Sequence, residues 1–189
     1  RVVSRFEVEA KAAGSVESQH IAQILDAGTD EALGAPYLAM EYLVGEDLQH
    51  TLARLGVLPV DLALRIAAQT CLGLDKAHGA KIVHRDIKPA NLFLTELDGD
   101  NVVIKVLDFG VAKIRIEEDQ RAGDAALTRT GTMLGSPLYM SPEQAKGAKS
   151  IDHRADIWSL GTVLYHMLAG HTPFHHISAL GELILARLA

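Results

Sequence analysis

The chain has 189 residues, 48% of them hydrophobic and 22% charged, with a net charge of −6. That is length enough for one domain, or one and a fraction, with a sizeable core and the composition of an ordinary globular protein. The acidic balance argues against a nucleic-acid partner, which would want a basic face, and equally against an anionic membrane surface.

The first predicted element is a helix over residues 4–14. Ser4 and Glu7 have capping-box spacing, Val3 and Val8 fit a hydrophobic staple, and Phe6, Ala10 and Ala13 supply an apolar stripe. Two strand-like runs follow, IAQILDAG (21–28) and APYLAMEYL (35–43), joined by a polar turn at Gly34. EDLQHTLARLG (46–56) reads as a short helix. The longest helical pattern runs over 61–78, with Leu62, Ile66, Thr70 or Cys71, Leu74 and Ala77 on one face, and Pro59, Asp61 and Gly79 marking its ends. Cys71 is the only cysteine, so no intramolecular disulfide exists and a reducing compartment suits the chain. Its place in the apolar pattern predicts a small core residue.

A second strand pair, LFLTEL and NVVIKVLDFG, is joined by the turn signal DGDN. Residues 115–135 are polar and aperiodic, a long loop of the kind that carries function. ADIWSLGTVLYHMLAG (155–170) reads as a buried helix closed by Gly170, with Trp158 and Asp156 structural, and ALGELILARLA starts another. The apolar run from Ile157 is too short to span a bilayer and contains Ser159 and His166. No signal-peptide pattern is present. The start at Arg1 and the finish inside an apolar helical pattern read as a piece of a longer protein. The class is α+β, with helix dominating the second half.

Between the two central apolar segments lies IVHRDIKPANLFL (82–94), which brings His84, Arg85, Asp86, Lys88 and Asn91 together. An Asp and an Asn at this spacing are by themselves ordinary turn and cap residues. The set is more specific. HRDIKPAN matches H-R-D-x-x-x-x-N, LDFG follows on the next predicted strand, and GSPLYMSPE closes the long loop with S-P-E where the motif set has A-P-E. With RFEVEAKAAGSVES, MEYLVGEDL and DIWSLGTVLYHMLAG in the same order, nearly the whole chain resembles the Hanks-type, eukaryotic-like serine/threonine protein kinases, particularly their bacterial members.

The resemblance implies a bilobal kinase fold in truncated form. Residues 1–40 would be the remnant of the first lobe, and residues 41–189 the hinge and second lobe. It implies transfer of the γ-phosphate of ATP to a protein Ser or Thr hydroxyl, chemistry that needs in-line positioning and charge neutralisation. Asp86 would accept the hydroxyl proton, Lys88 would face the transferring phosphate, and Asn91 and Asp108 would be oxygen ligands for Mg²⁺. His84 and Phe109 would brace the site. The hinge backbone at Glu41–Leu43 would hold adenine, with Met40 guarding the pocket behind, Asp47 at the ribose and Phe93 as the floor. Asp47 equally fits a helix N-terminal acid. Thr128 and Thr130, in TRTGT with Thr132, would be phosphorylated in the activation loop and sensed by Arg85 and Lys113. Ser136 stands where threonine is usual, and Asp156 would tie its helix to the HRD backbone. The implied cofactors are ATP and Mg²⁺. The implied partners are a protein substrate and a kinase dimer for autophosphorylation, and the implied location is cytoplasmic.

The departures from the family pattern carry equal weight. These residues contain no G-x-G-x-x-G, and no lysine precedes Glu9, which stands at the position of the ATP-site glutamate. Lys11, two residues along the same helix, points away from it. The arginine that normally pairs with Glu143 would lie beyond the end. The sheet would therefore show an unpaired edge and the last helix an uncovered apolar face. A pseudokinase or kinase-like binding module is the alternative reading. A small-molecule phosphotransferase is disfavoured by HRDIKPAN and S-P-E. His171, His175 and His176 lie together around TPF without an acidic or cysteine partner at ligand spacing, and read as solvated.

Overall fold

The computed structural model describes residues 14–97, 101–109, 137–148, 150–177, 182–183 and 185–186. The expected helix over 4–14, with Glu9, and the segment bearing Lys113, Thr128, Thr130, Thr132 and Ser136 lie outside the described residues.

Strands β1 (Ile24–Asp30) and β2 (Ala35–Met40) form an antiparallel pair closed by a turn in which Asp30 Oδ1 accepts from the N–H groups of Ala32 and Leu33. After residues 41–44 come β3 (Gly45–Asp47), α1 (Leu48–Leu55) and the long α2 (Val60–Gly79). A 3₁₀ turn, Pro89–Asn91, leads into β4 (Leu92–Leu97), which pairs with β5 (Asn101–Val106). The short α3 (Pro142–Ala145) and the long α4 (Arg154–Ala169) follow. Residues 182–183 and 185–186 are helical, with Leu183 buried and Leu185 exposed.

The core forms where α2 and α4 pack under β4 and β5. Ile66, Leu74 and Ala77 recur at helical spacing on α2 and meet Leu92, Ile104 and Val106 from the sheet and Val163 and Met167 from α4. Gly73 is needed there, because a Cβ would stand 2.8 Å from the carbonyl oxygen of His20. Through this approach the segment before β1 lies against α2. It also joins the second sheet, with Ala22 N donating to Val106 O (3.0 Å) and Val106 N to His20 O (2.9 Å).

The structure corrects several expectations. The predicted helix over 46–56 begins at Leu48. Residues 45–47 instead form β3, which adds a third strand to β4 and β5. Gly45 makes that pairing possible: at its φ of 144° a Cβ would fall 1.9 Å from Leu94 O. The second strand ends at Met40, not at residue 43, since the chain must turn there to reach the other sheet. Cys71 is exposed, because the buried face of α2 runs through Thr70 and Leu74. The helix over 155–170 is buried along one face only. Ala155, Ser159, Val163 and Met167 point inward, whereas Ile157, Trp158, Tyr165 and Leu168 are exposed.

Candidate active site

The residues of the HRD segment reach their positions through main-chain bonds to a distant carboxylate. Asp156, in the first turn of α4, is fully buried. Its Oδ1 accepts from Arg85 N at 2.7 Å, and its Oδ2 from His84 N at 2.9 Å and His78 Nε2 at 2.8 Å. Three donors on one buried carboxylate are the compensation such a charge requires. This is the tie between α4 and the HRD backbone expected from the sequence. Held this way, Arg85 adopts a φ of 68°, a left-handed conformation that a non-glycine residue keeps only where its surroundings enforce it.

His84 is buried and uses both ring nitrogens. Its Nε2–H donates to Leu107 O (2.7 Å), and its Nδ1 accepts from Asp86 N (3.2 Å). Its ring meets Phe109 edge-on at 4.7 Å. His84 and Phe109 therefore brace the two loops against each other, and His84 has no free nitrogen for proton transfer.

The loop presents a compact polar cluster. Lys88 Nζ lies 2.6 Å from Asp86 Oδ2, and Asn91 Nδ2 donates to Asp86 O (2.8 Å) and Asp86 Oδ2 (3.2 Å). Asp86 Oδ1 has no partner among the described residues. Leu107 N donates to Asn91 O at 2.9 Å, which brings Asp108 beside Asn91. Asp108 has a φ of 58° and is exposed. Because the Asn91 amide nitrogen is committed to Asp86, its oxygen is left as an acceptor. Two hard oxygen donors on adjacent loops fit a Mg²⁺ ion, which takes few protein ligands and completes its shell with water and phosphate. Among the described residues no group of three His, Cys, Asp or Glu side chains is arranged to hold a metal. The His171 and His175 rings lie 3.8 Å apart, tilted by 41°, with both Nδ1 atoms on Thr172 O.

A small cleft opens between the β1–β2 pair and the segment bearing Asp108 and Phe109. Met40, Ile21, Leu38 and Phe109 give it apolar walls, and Asp108 also lines it. Residues 41–44 have no regular structure, and neither Leu43 N–H nor Leu43 C=O has a partner among the described residues. Phe93 lies directly across the β3–β4 ladder from Asp47 and across the β4–β5 ladder from Lys105. Asp47 caps α1: its Oδ1 accepts from His50 N (2.9 Å) and its Oδ2 meets His50 Nδ1 at 2.8 Å. The helix-cap reading of Asp47 is thus realised.

Sequence reasoning missed four supporting residues. Gln144 Nε2 donates to Arg85 O (2.7 Å) from an α3 whose Ser141–Gln144 capping box is complete. His78 is the third donor to Asp156. Ser159 Oγ donates to Tyr139 O (2.8 Å), fixing the segment after the long loop. Lys105 forms an ion pair with Glu41. The Ser-x-x-Gln spacing signalled the first, and a lysine within the apolar run VVIKV signalled the last.

The sequence matches the protein kinase domain family over residues 3–186. The chain belongs to that family. Among its kinase relatives, it is 42% identical over 181 residues to serine/threonine-protein kinase pkn3 of Myxococcus xanthus, covering 96% of this chain and 32% of that protein. It is 41% identical over 175 residues to the serine/threonine-protein kinase PknA of Corynebacterium glutamicum, covering 91% of this chain and 35% of that protein. Among solved structures, the PknI kinase domain of Mycobacterium tuberculosis superposes with a TM-score of 0.69 at 31% identity, covering 95% of this chain and 64% of that one. The chain thus spans about a third of the kinases it matches by sequence and under two thirds of that kinase domain. The truncated kinase-like α+β fold is the one expected from the motifs. Among the described residues no helix is long and apolar enough to cross a membrane.

Proposed function

We propose that this chain is the central part of an ATP-dependent serine/threonine protein kinase that moves the γ-phosphate of ATP onto a Ser or Thr hydroxyl of a protein. The observation that carries the reading is the Asp86 carboxylate. One oxygen is fixed by Lys88 and Asn91, and the other has no partner among the described residues. A hydroxyl bonded to Oδ1 would lose its proton to Asp86 as its oxygen forms the new bond to the γ-phosphorus and the bond to the ADP oxygen breaks. Lys88 sits where it would draw negative charge on the transferring group, and Asn91 and Asp108 would hold the metal. Mg²⁺ held there would supply charge neutralisation for the phosphates. The main chain of Leu43, without a partner among the described residues, suits with Glu41 the hydrogen-bonding edge of adenine, Phe93 its face and Asp47 the ribose.

On the same reading residues 1–40 belong to a first lobe and 41–189 to the hinge and a second lobe, with the nucleotide between them. Glu9 would face the nucleotide phosphates through a lysine partner. Phosphorylation of Thr128 or Thr130, delivered by a second kinase copy, would be sensed by Arg85 and Lys113.

The test uses the full-length gene product with radiolabelled ATP and Mg²⁺. We expect label in protein Ser or Thr, and a fall of about 10²-fold or more for Asp86→Asn, the scale of a lost general base. Undiminished transfer by Asp86→Asn would overturn the assignment. A wild type that binds ATP without transferring label would make the protein a kinase-like binding module.

A further inference from the structure

Glu41 stands where the chain leaves β2 for β3, and its side chain is drawn inward. Its Oε1 accepts from Gln23 N at 2.8 Å and from Lys105 Nζ at 2.6 Å, while its own N–H donates to Gln23 O at 2.9 Å. One carboxylate oxygen therefore joins the segment before β1, the connector between the sheets, and β5. Both partners are mostly withdrawn from water, with side-chain exposures of 27% for Glu41 and 18% for Lys105. Burial opposes the charge on Glu41, yet the bonds from Lys105 and Gln23 prevail and hold its carboxyl below the usual range.

The placement of Lys105 gives this clamp a direction. Residues directly opposite in an antiparallel ladder share a face, so Lys105 and Phe93 project from the same side of the sheet. Leu92, Ile104 and Val106 occupy the opposite, buried side. The lysine thus reaches from the Phe93 side of the sheet to the connector that carries Leu43. We propose that the Glu41–Lys105 ion pair is a positioning pair for the nucleotide: it fixes the separation between the 41–43 main chain and Phe93, so that one base meets both together. Neither side chain needs to touch the phosphates. The inference rests on the kinase reading above and adds to it what holds the two walls of the base site in register.

The experiment measures ATP affinity by calorimetry, and KM and kcat for ATP, on full-length wild type and on Lys105→Met, Lys105→Arg and Glu41→Gln. Losing one charge-assisted bond that organises the site should raise Kd and KM for Lys105→Met about tenfold, with kcat within about twofold. Lys105→Arg should recover most of the affinity, since it restores both charge and donor. Combining Glu41→Gln with Lys105→Met should cost no more than Lys105→Met alone, as coupled partners require. Unchanged Kd and KM in folded Lys105→Met, tighter binding, or a loss in kcat alone would overturn the proposal while the kinase reading stood. Should Lys105→Met fail to fold, Glu41→Gln decides by the same criteria, because it keeps side-chain volume and an acceptor. A wild type that does not bind ATP would overturn the kinase reading, and this proposal with it.

Discussion

Asp156 shows how a single side chain shapes a loop that it does not belong to. Its carboxylate takes the N–H groups of His84 and Arg85, and with them the turn that exposes Asp86. Replacing it by alanine would strand two buried main-chain donors and the His78 ring. For Asp156→Ala we expect a loss of about 3 kcal/mol in unfolding free energy, the scale for a buried charged group with several bonds. Urea titration checks this, and a change under about 0.5 kcal/mol, the ordinary range for surface positions, would refute it. At this scale much was legible. The spacing of Asp86, Lys88, Asn91 and Asp108 follows a known motif set, and the structure bonds the first three together, with the main chain before Asp108 tied to Asn91. His78 and Gln144 were not legible, because their partners lie 78 and 59 residues away and no local pattern encodes such bonds.

Among the elements, α4 joins two tasks. Its inner face packs on α2, and its last turn holds Tyr139 through His166, whose Nδ1 accepts from the tyrosine hydroxyl at 2.7 Å. Burial pushes the Tyr139 phenol up to about 12, so it remains a donor throughout the neutral range. Burial, assisted by the nearby His171, lowers the His166 imidazole below its ordinary value of 6.5. The folded state therefore binds fewer protons at His166 than the unfolded state does. Its contribution to stability is complete above the ordinary imidazole value and is lost as pH falls through that value towards the lowered one. We expect the melting temperature to drop less between about pH 7.5 and about pH 5.5 in His166→Gln than in wild type, since glutamine keeps an acceptor without titrating. Equal drops would exclude His166 as the titrating group. The same helix shows where periodicity misleads. A helix apolar on more than one face announces burial without saying which face is covered, so the pattern points Trp158 inward, as it does Cys71 on α2, and the structure leaves both exposed. Strand β3 escapes the sequence because three residues that end in a strong N-cap carry no alternation to read.

At the scale of the whole molecule, the described residues form two sheets of unequal support. In β1 and β2 no residue is fully buried, whereas β4 and β5 lie against α2 with Leu92, Ile104 and Val106 excluded from water. Local opening follows buried contacts, so amides of Ile24–Met40 should exchange about 10²-fold or more faster than those of Ile104, Val106 and the middle of α2. Hydrogen-exchange mass spectrometry measures the difference, and equal protection would show that the two sheets open as one unit. The bonds from Asp156 also set an order of events. The carboxylate lies 71 and 72 residues beyond the amides it holds, and long-range contacts of this kind form late. During synthesis the ribosome delivers Asp86, Lys88, Asn91 and Asp108 well before α4. A nascent chain ending near residue 150 thus carries the side chains of the HRD segment without the anchor that shapes its main chain, and the loop takes its form only with the docking of one helix.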